Sequence, residues 1–135
     1  MILLSLALGL GACASPYYDP VPPADAKPHV TRFDSPLSME DSYRRLYARL
    51  RDCTPTFYHV QPRFDQVLPM ATIMVVEGLG LNRYSFIGNR FRARFDVYPA
   101  GAGSRVEITS VDKGLQPLLA ASRGWLENGN RSCSP

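Results

Sequence analysis

The side chains best suited to covalent or metal chemistry in this 135-residue chain are three cysteines, Cys13, Cys53 and Cys133, and two histidines, His29 and His59. A thiolate can be acylated, oxidised to a disulfide or bound to a metal, and its surroundings decide which. Cys13 closes the run Leu10-Gly11-Ala12-Cys13 at the end of an apolar leader. Cys53 and Cys133 have no cysteine within reach of a Cys-x-x-Cys redox motif. The histidines lie at no zinc-ligand spacing from either cysteine, so no metal or other cofactor is expected. They also lack a serine in an elbow sequence and an acidic partner at catalytic spacing. Gly78-x-Gly80 is not followed by the Lys-Ser or Lys-Thr and the helix of a phosphate loop, and it reads as a turn. No set of residues proposes a nucleophile, a base or a metal, and the expectation is a protein that is not an enzyme.

The leader is more informative. Residues Ile2 to Leu10 are apolar apart from Ser5 and Gly9, and small residues follow at Gly11 and Ala12, as a secretory core and cleavage site require. A span of about 12 residues is too short for a bilayer core that needs roughly 20 in a helix. Residues 1–12 therefore read as a signal peptide. No Lys or Arg precedes Cys13, whereas such peptides open with a basic segment, so the natural start is expected upstream of Met1.

The sequence Leu10-Gly11-Ala12-Cys13 resembles the lipobox of bacterial lipoproteins. The resemblance implies lipidation on the Cys13 sulfur, cleavage before it and acylation of the new N-terminus. One acyl chain holds a protein only marginally, and two membrane signals make the attachment stable. Ala14 and Ser15 lack the aspartate that retains many such proteins in the inner membrane. The resemblance thus implies the periplasmic face of the outer membrane, with the membrane itself as a partner through the acyl chains.

With Cys13 committed to lipid, Cys53 and Cys133 form an even pair in a compartment where disulfides persist, and only one intramolecular connectivity exists. The chain-entropy argument gives roughly 4 to 5 kcal/mol for a loop of about 80 residues. A net charge of +3 is too small to suggest nucleic-acid binding.

Between Ser15 and Pro28 stand five prolines, Pro16, Pro20, Pro22, Pro23 and Pro28. Each fixes φ and removes an amide donor, so residues 13–28 should run extended as a tether. Residues 29–135 are then a single globular domain. Its elements can be read from periodicity. A strand over Val30 to Asp34 stops at Ser35-Pro36, and Ser38 caps a helix whose apolar face carries Met39, Tyr43, Leu46, Tyr47, Leu50 and Cys53. Pro55 ends that helix. Thr56 to Val60 is strand-rich, with Gln61-Pro62 and Pro69 punctuating the connection into the all-apolar strand Ala71 to Val76.

Phe91, Ala93, Phe95 and Val97 alternate with Arg90, Arg92, Arg94 and Asp96, a period-two pattern with one buried and one wet face. Gly88-Asn89 breaks parity with Tyr84 and Phe86, which calls for a bulge or turn there. After a Gly-rich turn the strand Arg105 to Val111 returns. A last helix opens after Gly114, tolerates Pro117 in its first turn, carries the stripe Leu115, Leu118, Leu119, Ser122, Trp125, Leu126 and closes at Gly129. The order predicts a two-layer α+β domain, an antiparallel sheet of four or five strands with two helices on one face. It resembles the helix-grip arrangement. Lipobox, tether, cysteine at a helix end and a Trp-Leu helix before a last cysteine together resemble small proteobacterial envelope lipoproteins, a group that implies no activity.

Two surface features could carry interactions. Arg90, Arg92 and Arg94 would project from one strand as a basic strip facing lipid phosphates or an acidic envelope protein, although a solvated sheet face is the plainer account. Trp125 and its leucines either fill the core or roof a cavity. The expected function is a non-enzymatic structural or interaction module in the envelope. The alternative is a periplasmic module that binds a lipid or small apolar ligand, and a cavity at that seam would separate the two.

Overall fold

Ser38 starts the first helix as its sequence demands: its Oγ accepts from the Asp41 amide at 3.1 Å, which satisfies a donor the helix leaves unpaired. In the computed structural model, which describes residues 22, 24–65, 70–78 and 90–135, helix α1 then runs over Met39–Cys53. It follows strand β1, His29–Ser35. Four more strands come next: β2 (Tyr58–Asp65), β3 (Met70–Glu77), β4 (Arg90–Ala100) and β5 (Gly103–Ser110). A 3-10 turn over Lys113–Leu115 leads into helix α2, Gln116–Glu127. The leader, Cys13, most of the tether and the expected parity break at Gly88-Asn89 lie outside the described residues.

The strands form one antiparallel sheet in the order β1-β5-β4-β3-β2. Both helices cover one face, giving the two-layer α+β architecture, helix-grip-like, that the element order predicts. Phe33, Ile73, Val75, Phe95, Val97, Val106 and Ile108 from the sheet meet Leu46 and Leu50 of α1 and Leu118, Trp125 and Leu126 of α2 in one core. Asn128 and Asn130 both donate their amides to the Gly124 carbonyl, and Gly129 between them takes a φ of +64°. That is the left-handed stop expected of a glycine just past a helix.

Three expectations are corrected. Strand β2 does not end before Gln61-Pro62 but continues to Asp65. Pro62 is tolerated because β2 is an edge strand, where a missing amide breaks no second ladder. Second, the face away from the helices is not simply wet, since Thr72, Met74, Val76, Phe91, Asp96 and Thr109 are all buried yet stand outside the helix-side core. Third, the β5 strand begins at Gly103, leaving a two-residue hairpin at Gly101-Ala102 with φ +58° at Gly101. A Cβ on Gly103 would come within 2.3 Å of the Ser35 carbonyl oxygen, so the β1 end and this hairpin fit only without a side chain there.

Candidate functional site

Cys53 is the last residue of α1 and Cys133 lies six residues beyond the end of α2, and the two are joined as a disulfide with their Cα atoms 5.3 Å apart. The bond anchors the C-terminal tail across the helix layer. Trp125 contributes to the same attachment, donating its indole Nε1–H to the Ser132 carbonyl at 2.7 Å. A buried indole N–H needs such a partner. Arg45 of α1 donates from Nη1 to the Trp125 carbonyl at 3.3 Å, so the two helices and the tail are tied by polar as well as apolar contacts.

The arginines Arg90, Arg92 and Arg94 do not form one strip. The β3–β4 register slips between Val75, opposite Ala93, and Val76, opposite Phe91, which leaves Arg92 as the extra residue of a bulge. A bulge reverses the facing of what precedes it. Phe91 therefore leaves the series of Ala93, Phe95 and Val97, and it is buried outside the helix-side core. Arg92 turns to a polar cluster at the end of the seam. Its Nη2 donates to Glu77 Oε2, its Nε lies 3.8 Å from Asp112 Oδ2, and Tyr58 donates its hydroxyl to the same Asp112 oxygen at 2.9 Å. The hydrogen bond to Glu77 raises the Arg92 pKa above its usual value. Burial, and then the bond to Asp112, raise that of the Tyr58 phenol.

Arg94 has the opposite surroundings. Its Nε donates to Asp96 Oδ2 at 2.9 Å, and Thr72 donates its hydroxyl to Asp96 Oδ1 at 2.8 Å. Asp96 is 2% exposed, a buried carboxylate made tolerable by a cation and a hydroxyl. Farther along this face Arg32 pairs with Glu107 and Arg105 with Asp34. Arg90 is exposed, and among the described residues no ion pair involves it.

Sequence reasoning missed a second buried polar group. Ser42 of α1, with no accessible surface, donates to Ser35 Oγ at 3.1 Å and lies 2.7 Å from Ser104 Oγ. This trio locks α1 onto β1 and β5 next to Gly103. Three serines at unrelated positions carry no spacing signal. His29 and His59 stand on strands β1 and β2, the opposite edges of the sheet, so the fold does not bring them together.

Among the described residues the centre of the seam under the helices is closely packed. A void large enough for a water molecule leaves accessible surface on its walls, and Trp125, Leu46, Leu50, Ile73, Val75, Phe95, Val97 and Val106 have none. No family model and no curated protein matches this chain. Among solved structures, a crystal structure of Ara h 8.0201 aligns with 73% of this chain and 85% of its own, at 14% identity and a TM-score of 0.29, a likeness too slight to carry any argument.

Proposed function

We propose that this protein is a lipid-anchored envelope lipoprotein whose domain serves as a non-enzymatic structural or interaction module on the periplasmic face of the outer membrane. The observation that supports this reading best is the bonded pair Cys53–Cys133, which suits the oxidising compartment implied by the leader. Cys13 carries the acyl chains, and residues 14–28 hold the domain off the bilayer. No helix among the described residues is long and apolar enough to cross a membrane, and the reading assigns attachment to Cys13 alone.

The closely packed seam speaks against carriage of a lipid or other apolar ligand beneath α2, because such pockets are concave and of several hundred cubic ångströms. Buried Asp96 and the partly buried Arg92 and Arg94 serve in structural pairs, and the reading gives them no chemical step. Membrane fractionation tests the proposal. The wild-type chain should sediment with outer-membrane markers and the Cys13→Ser variant should not. Equal sedimentation of both would remove the anchor from the account.

A further inference from the structure

Strand register places five chain segments at one end of the sheet. His29, the first residue of β1, faces Ser110, the last of β5; Glu77, the last of β3, faces both Tyr58, the first of β2, and Arg90, the first of β4. The tether enters the fold at this end. Phe57, immediately before β2, is 77% exposed, and Val30, the second residue of β1, is 40% exposed. These are the exposed large apolar side chains among the described residues, and both lie where the tether arrives.

The charges at this end are arranged to match. Arg90, Lys113 and Lys27 are exposed, and among the described residues none has a carboxylate partner. The nearby carboxylates are engaged: Glu77 by Arg92, and Asp112 by Tyr58 and Arg92. The exposed acidic groups here are Asp25, within the tether, and Asp52 in the last turn of α1, which pairs with Arg49. The opposite end carries the Gly101-Ala102 hairpin and the acidic first turn of α1; there Glu40 pairs with Arg44 and Asp34 with Arg105, so its arginines are already engaged. The unpaired cations give the first end its attraction for an anionic surface.

We propose that the tether end of the sheet docks on anionic phospholipid headgroups, with Phe57 seated at the interface and Arg90 and Lys113 contacting phosphates. This rests on the anchored reading above. An exposed aromatic flanked by cations suits the boundary between headgroup and acyl chain. A single Phe and a few basic residues bind weakly alone, but a tether of 15 residues keeps the domain within about 50 Å of the bilayer, so the weak contact becomes intramolecular.

The test places the photo-crosslinking residue p-benzoylphenylalanine at position 57 or at position 102 of the full chain. The protein is reconstituted in vesicles of phosphatidylethanolamine and phosphatidylglycerol. Lipid adducts at 57 should exceed those at 102 by about fivefold or more, and 0.5 M NaCl or the pair Arg90→Glu with Lys113→Glu should cut the yield at 57 by about threefold. Equal yields at the two positions, or none at 57, would overturn the proposal. Both sites are exposed, so the probe leaves the core intact, and the salt arm needs no charge variant to fold. Acylation of Cys13 is read separately by mass. If Cys13 is unmodified the anchor fails, and the same ratio, read with the protein mixed into excess vesicles, still decides for or against the docked end.

Discussion

The two faces of the sheet are held by different means. On the helix side, large apolar groups from β1, β3, β4 and β5 pack against α1 and α2 with no accessible surface at the centre, and burial dominates cohesion there, with the serine trio and the disulfide adding to it. On the other face the buried residues include Asp96, Thr72 and Thr109, and order comes from directed bonds such as Thr72 to Asp96 and Arg94 to Asp96. The helix face should therefore be sensitive to lost volume and the far face to lost partners. A buried polar group left without its partner costs more than the bond contributed.

The largest effect is expected on the helix face. Phe95→Ala should lower unfolding stability by about 3 to 5 kcal/mol in urea titration, since the site is enclosed and cannot collapse fully. A loss below about 1 kcal/mol would mean a looser seam than the packing shows. Replacing Cys53 and Cys133 together by serine should cost about 2 to 4 kcal/mol. It should also shift the emission of Trp125, the only tryptophan, as the tail that accepts its N–H loosens.

On the far face, Asp96→Ala should cost about 1 to 3 kcal/mol by stranding Thr72 and Arg94, while Thr72→Val together with Asp96→Ala should recover part of that loss. Additive losses would sink the idea that this face is organised by its bonds. The exposed pair is weaker still: Arg32→Gln, which breaks the contact with Glu107, should change stability by about 0 to 1 kcal/mol and should matter less in high salt.

The seam end adds a pH dependence. The Tyr58 pKa is raised by burial and then by its bond to Asp112. A raised folded-state value means that this stabilisation is complete below the unfolded tyrosine range and is lost as pH climbs above about 10. Unfolding curves between pH 9 and 11 should therefore fall more steeply for the wild type than for Tyr58→Phe. Parallel curves would remove Tyr58 from the alkaline response, leaving Tyr43 and Tyr98, which burial also raises.

Both helices could be read from the sequence because each has one apolar stripe and a clear stop at Pro55 or Gly129, with a capping Ser38 before the first and Pro117 in the first turn of the second. The disulfide followed from parity and from the oxidising compartment that the leader implies. The reach of β2 through Pro62 could not be read, because whether a proline is tolerated depends on edge position, a property of the assembled sheet. The unbroken alternation from Phe91 to Val97 concealed a bulge, since register is set between strands and a pattern within one strand cannot show a slip. That slip is what divided the arginines between two faces. The cluster of Tyr58, Glu77, Arg92 and Asp112 and the trio of Ser35, Ser42 and Ser104 join positions far apart in sequence, so their types signalled nothing until the fold placed them together.

The central claim is attachment through Cys13, and intact-mass and N-terminal peptide analysis of the protein purified from membranes tests it most directly. The account predicts a mature chain that begins at Cys13 and carries acyl chains on its sulfur and its α-amino group. A chain that still bears the leader, or a Cys13 with a free thiol, would contradict it.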